Sequence, residues 1–477
     1  MNGNLISQLQ TYSDHIVYKQ MMEKTGINID FVHPAAGQDR EEFSIMMAST
    51  ELPDIIQSFS GYYSGGLTSA YDDGVIVDLT DYVKEYAPDY YALISKDEET
   101  YRQFTRDGKI LCFSTYWEEL NPTAACITLR QDWLEEFGLQ AEDMTTYEAI
   151  EAYFEGIKTN YPDVAPFYLN VGYEYYYYGF NIFPNWYQEN GRAVYYDSGD
   201  QAKYRSWLEL MNRWYDKGYI SPDFASYKPE EARALFSAGM IGCFGEPIGN
   251  VYSDSDASGL RIVKSPWWRQ TENAAINVYF PEGIERYGGQ DTVITTQCEN
   301  IEEAVKLLNY CYTDAGMDLT NFGIEELCYT VDENGTKTYT DLVINNPDKL
   351  GTAVTHQLYR IHWIPNRKLA DTTANPNITK RQDLVDGRLL YAAGDPTMDG
   401  AYYLPGGAFL TAEESAERSS IMNNVDTYLK EMRLKFITGV EKITDESWQS
   451  YLSTLEQFGL SKAEGITQAA YDRYMGK

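Results

Sequence analysis

Few residues in this sequence have the spacing of a reaction centre. The four histidines, His15, His33, His356 and His362, stand alone, so no HxH or HExxH metal site can form. Glycine-rich stretches at Ser64-Gly65-Gly66 and Leu404-Pro405-Gly406-Gly407 lack the lysine and strand-to-helix setting of a phosphate loop, and there is no GxSxG elbow. Asp254-Ser255-Asp256 and Asp395 to Gly400 resemble fragments of calcium loops but lack the full set of oxygen ligands, so neither a metal nor another cofactor is expected. Adjacent acids such as Glu118-Glu119 and Glu325-Glu326 read as solvated surface pairs. A glycosidase pair drawn from distant stretches stays open, because two acids that flank a glycosidic bond need not be neighbours in sequence.

The residues that stand out are aromatic, with 42 Tyr and 9 Trp. A flat apolar face with a polar tip suits surfaces that are both wet and adhesive, and it complements the C–H faces and hydroxyls of a sugar ring. Several aromatics follow strand-like runs rather than helix faces. Tyr62 and Tyr63 come after Ile55-Ile56, Tyr116 and Trp117 after Ile110 to Phe113, and Trp267 and Trp268 after Arg261-Ile262-Val263. Trp363 sits before Ile364-Pro365, and the run Tyr173 to Tyr178 with Trp186 fits no helical stripe. Paired aromatics in loops are candidates for binding. The candidate set is Tyr62, Tyr63, Tyr116, Trp117, Tyr178, Trp186, Glu246, Trp267, Trp268 and Trp363, with Glu118, Asn181 and Arg269 as further hydroxyl partners. Glu246 enters because it follows a strand read over Met240 to Phe244.

The elements that must position these residues alternate between strand and helix. Gly26 to Val32 reads as a strand behind a helix that stops at Gly26, and Glu41 to Ser49 reads as a helix. Leu52 to Ile56 reads as the next strand. Thr145 with Glu148, Asn300 with Glu303, and Thr411 with Glu414 have the spacing of helix caps. Lys203 to Lys217 places Tyr204, Trp207, Leu208, Met211 and Trp214 on one helical stripe, so these two tryptophans, like Trp448, are assigned to the core. Asp332 to Gly335 reads as a hairpin turn. The rhythm is that of an α/β protein with sheets covered by helices.

Length and charge bound the rest. A chain of 477 residues exceeds what one core usually serves. A formal charge of −34 repels nucleic acid and anionic lipid, so neither is an expected partner. The six scattered cysteines fit buried free thiols better than a disulfide scaffold. No apolar run reaches membrane-spanning length.

Ordered short segments carry a family resemblance. They include Glu23 to Ile29, Ala48-Ser-Thr-Glu-Leu-Pro-Asp-Ile-Ile56, Asp73-Gly-Val-Ile-Val-Asp-Leu-Thr-Asp81, Asp107 to Leu111, Leu129-Arg-Gln-Asp-Trp-Leu134, Tyr215-Asp-Lys-Gly-Tyr-Ile-Ser-Pro222, Asn321 to Glu325 and Ala470 to Tyr474. In this order they resemble the family 1 extracellular solute-binding proteins of bacterial ABC importers, in particular the sugar-binding lipoproteins of Gram-positive bacteria. Glu326 stands where the family usually has Gly, and Leu111-Cys112 where it has a Tyr-Gly step.

The resemblance implies a two-lobed type 2 periplasmic-binding-protein fold, each lobe a sheet flanked by helices and joined by a hinge. The expected division gives residues 1–126 with about 296–365 to the first lobe, and 127–295 with about 366–477 to the second. It also implies a non-enzymatic, monomeric receptor that captures an oligosaccharide and hands it to a membrane permease. That receptor would sit on the outer face of the membrane, with its signal peptide and lipid-bearing cysteine upstream of residue 1. A receptor for a peptide or another polar solute is the alternative, followed by a carbohydrate-active enzyme.

Overall fold

The computed structural model describes residues 9–34, 38–49, 51–118, 125–169, 175–183, 185–195, 201–247, 260–277, 285–350, 352–361, 363–369, 401–405 and 410–477. Both calcium-loop-like stretches lie outside these residues.

Apolar stripes become the helices that cover the sheets. The helix Gln201–Asp216 buries Tyr204, Trp207, Leu208, Met211 and Trp214. The helix Ile16–Thr25 ends at Gly26, whose φ of 72° lets its amide donate back to the Met22 carbonyl. The following stretch joins no ladder among the described residues, although Ile27, Ile29 and Phe31 pack alternately on the core as a strand would. The expected box at Thr411 is formed, with the Glu414 amide donating to Thr411 Oγ1 at 3.2 Å and the Thr411 amide donating to the Glu414 carboxylate at 2.8 Å. The expected box at Thr145 is not. Residues 145–147 are held alongside Arg269, whose amide donates to the Thr145 carbonyl at 2.9 Å, so Thr146 Oγ1 accepts from the Ala149 amide instead. Asn300 precedes the helix Ile301–Tyr310 without a side-chain cap bond.

Two large apolar cores result. The first gathers Val17, Val83, Tyr90, Ile110, Phe113, Ile294, Val305, Leu319 and Ile361. Smaller clusters around Phe43, Ile56, Phe59 and Val293, and around Phe322, Tyr329 and Tyr339, draw on the same stretches of chain. Here β1 (Ile55–Ile56) pairs antiparallel with β9 (Val293–Ile294), and β10 (Tyr329–Val331) with β11 (Lys337–Tyr339) about Gly335 at φ 82°. The second core gathers Leu129, Phe154, Phe167, Trp214, Trp268, Val425, Phe436 and Trp448. Its sheet runs β4 (Ala165–Phe167), β7 (Ile241–Pro247), β3 (Ala125–Arg130), β8 (Ile262–Lys264), with only the β4–β7 pair parallel. A hairpin of β5 (Trp186–Glu189) and β6 (Arg192–Tyr195) lies beside it. Cys112, Cys243, Cys298, Cys311 and Cys328 are buried free thiols.

Candidate ligand cleft

A narrow ribbon lies at the edge of the first core. β2 (Tyr116–Trp117) lies parallel to β12 (Arg367–Lys368), with Tyr116 opposite Arg367 and Trp117 opposite Lys368. On its other side the Trp117 amide donates to the Arg286 carbonyl at 2.8 Å, and Tyr116 bridges Tyr287. Three segments far apart in sequence therefore run side by side, with β2 in the middle.

Charge locks this ribbon. The Arg367 guanidinium donates to both Glu118 oxygens, Nε to Oε2 at 2.7 Å and Nη2 to Oε1 at 2.9 Å, and Nη1 donates to Asp314 Oδ1 at 2.8 Å. A planar fork facing a carboxylate is the strong form of ion pair. These bonds from Arg367 hold the Glu118 carboxyl below the usual carboxylate range. Arg286 Nη1 donates to the carbonyls of Trp117 at 2.9 Å and Glu118 at 2.5 Å. The Lys368 ammonium sits 4.6 Å from the Trp117 ring centroid, within cation–π range.

The aromatic candidates separate into groups. Tyr116 is only 2% exposed, and its ring packs 5.9 Å from Phe104, so it belongs to the first core while half-buried Trp117 stays at its edge. Tyr62 and Tyr63 are half-buried and line a cavity of about 820 Å3 with Phe43, Met47, Asp72, Asp73 and Ala412. Tyr63 stacks on Phe59 at 5.1 Å and donates its hydroxyl to Asp73 Oδ2 at 2.8 Å. Burial and that carboxylate push the Tyr63 phenol up to about 12. Tyr178 and Trp267, expected in the cleft, are 2% and 8% exposed and meet at 5.5 Å in a small buried aromatic cluster with Phe183, Tyr187 and Tyr402.

The other candidates are placed elsewhere. Trp268, expected in the cleft, is 2% exposed and ringed by Tyr147, Phe154, Phe167, Tyr176 and Trp214, with Nε1 donating to Ser265 Oγ at 2.8 Å. Adjacent residues of an extended segment point to opposite faces, so the Trp267-Trp268 pair is split between two clusters. Trp363 is 8% exposed and packs 5.9 Å from Tyr12 and 5.8 Å from His15, in the first core. Trp186 is half-buried between Tyr195 at 4.8 Å and the Arg418 guanidinium at 5.2 Å. Glu246 lies within β7, its backbone paired with Cys126, rather than beyond the strand; its side chain lies outside what is described.

The expected polar partners are also engaged. Asn181 Oδ1 accepts from the Asn277 backbone and side-chain amides at 2.8 and 3.0 Å, and Arg269 Nε donates to the Ala274 carbonyl at 3.0 Å. Sequence reasoning missed Phe43, Met47, Asp72, Asp73, Arg286, Arg367 and Lys368. The missed signal was the position of Asp72 and Asp73 just before the strand-like run Gly74 to Val77.

Comparison with known proteins agrees with this architecture. Residues 5–318 match the family model for bacterial extracellular solute-binding proteins. The polygalacturonan/rhamnogalacturonan-binding protein YtcQ of Bacillus subtilis is 25% identical over 67% of this chain, and the match spans 64% of that relative's length. The fructooligosaccharide ABC transporter substrate-binding protein FusA of Streptococcus pneumoniae is 23% identical, covering 97% of this chain and 87% of that protein. The solved structure of FusA in complex with kestose has the same fold, with a TM-score of 0.76 at 19% identity over 97% of this chain and 96% of that one. The chain has the two-lobed type 2 periplasmic-binding-protein fold and belongs to the bacterial extracellular solute-binding proteins.

Proposed function

We propose that this protein is the extracellular substrate-binding component of an ABC importer and captures an oligosaccharide between its lobes. The observation that carries this reading is the ribbon at 116–118, 286–287 and 367–368, which lines up at the edge of the first core the three stretches that flank the second core in sequence, with aromatic and charged side chains along it. The first lobe comprises residues up to about 118 with 285–369, and the second 125–277 with 401–477. Tyr287, Val293 and Ile294 pack with the first core, which supports a return crossing near residue 285. Rotation of one lobe against the other closes the cleft, and the closed form is what a permease recognises. Trp117, Tyr62 and Tyr63 supply the ring faces that a sugar meets. The names of FusA and YtcQ, both carbohydrate binders, support a sugar ligand.

The receptor acts as a monomer, anchored by lipid on the outer membrane face, and returns its sugar unchanged. Isothermal calorimetry over plant- and host-type oligosaccharides, extended to peptides, tests this. Binding of a sugar with lobe closure in solution scattering is expected. Heat from peptides alone, or reducing ends released from a bound sugar, overturns it.

A further inference from the structure

The cavity beside Tyr62 and Tyr63 is electrostatically one-sided. Phe43, Met47 and the two tyrosines give it apolar and aromatic walls, while Asp72 and Asp73 supply its charges; no Lys or Arg is among its lining residues. The nearby Arg40 guanidinium lies over the Tyr62 ring, 5.7 Å from the centroid, and is exposed to solvent. Asp73 accepts one bond, from the Tyr63 hydroxyl, and Asp72 makes no ion pair among the described residues. Carboxylate oxygens in this setting can accept hydrogen bonds from hydroxyl groups while the rings cover C–H faces. At about 820 Å3 the space lies within the usual range for a small-molecule site.

The charge distinguishes classes of sugar. A uronate or sulfate group entering this cavity would face two carboxylates with no cation among the lining residues, and like charges at close range repel. We infer that this cavity takes a neutral sugar residue, its hydroxyls donating to Asp72 and Asp73 and its apolar face against Tyr62 and Tyr63, so that uronate-bearing glycans are rejected. The inference rests on the oligosaccharide-receptor reading. It sets this chain apart from relatives whose names specify polygalacturonan or alginate.

The test is calorimetry on the whole chain with two sets of trisaccharides. The neutral set is kestose, galactotriose, mannotriose and cellotriose; the charged set is trigalacturonate, trimannuronate and triguluronate. The tightest binder is expected in the neutral set, with every uronate weaker by about tenfold or more. Raising the salt should narrow that gap. Asp72 and Asp73 are exposed, so the double variant Asp72→Asn, Asp73→Asn should keep its melting temperature, lose about fivefold or more in affinity for the neutral binder, and discriminate less. A uronate as the tightest binder, or a double variant with unchanged affinity and discrimination, overturns this inference while leaving the receptor standing. Heat from no sugar at all removes both.

Discussion

Two tryptophans read alike in the sequence have opposite expected consequences. Trp268 is enclosed by five aromatic side chains, so Trp268→Ala should cost about 3–5 kcal/mol in urea unfolding. Trp117 lies half-buried under Lys368, so Trp117→Ala should change stability by about 1 kcal/mol or less while weakening sugar binding at least fivefold by calorimetry. The Glu118–Arg367 pair makes a pH prediction. Because the Glu118 carboxyl is held below its unfolded value, its stabilisation is complete above the usual glutamate range and is lost as pH falls through the depressed value. Arg367→Leu should therefore be destabilised by about 1 kcal/mol at neutral pH, and the difference from wild type should shrink in acid melts. A gap that widens toward low pH would contradict this assignment. Composition could announce that aromatics matter, but not which ones. Whether a ring faces a core or a cleft depends on packing partners such as Tyr147 and Trp214, which lie far from Trp268 in sequence.

At the level of elements, legibility followed periodicity. The stripe in Gln201–Asp216 and the cap at Thr411 could be read because both are set by residues within a few positions of each other. The ribbon could not. β2 and β12 are two residues long, too short for any period, and they pair across about 250 residues of sequence. Gly26 to Val32 reads as a strand and its alternate residues Ile27, Ile29 and Phe31 do pack on the core, yet a strand also needs a neighbour, and none pairs with it among the described residues. The cap at residue 145 failed for a similar reason, because Arg269 holds Thr145 through a long-range backbone bond. Thr146→Ala should consequently cost about 1 kcal/mol and Thr145→Ala much less, and Thr411→Ala should match Thr146→Ala, all by urea titration.

For the whole molecule, stretches of chain from the two cores approach at Gly65. A Cβ at this position would lie 2.5 Å from Ala412 Cβ, and the backbone there has φ 80°. Gly65 lies between Phe59 and Leu67 of the cluster around Phe43, whereas Ala412 opens the long helix whose Val425 and Phe436 sit in the second core. Gly65→Ala should hold the two surfaces apart, weaken the ligand several-fold and enlarge the radius of gyration of the liganded protein in solution scattering. An unchanged radius would mean that closure does not bring these surfaces together. The buried thiols have a different use, as clocks. Cys112, Cys298, Cys311 and Cys328 lie within the first lobe's clusters and Cys243 within the second lobe's core, and burial pushes Cys311 up to about 12. A thiol in that state reacts with alkylating reagents only when its surroundings open. Timed alkylation followed by peptide mass spectrometry should therefore give a separate opening rate for each lobe within one chain, with no added label, and show which lobe a bound sugar steadies more.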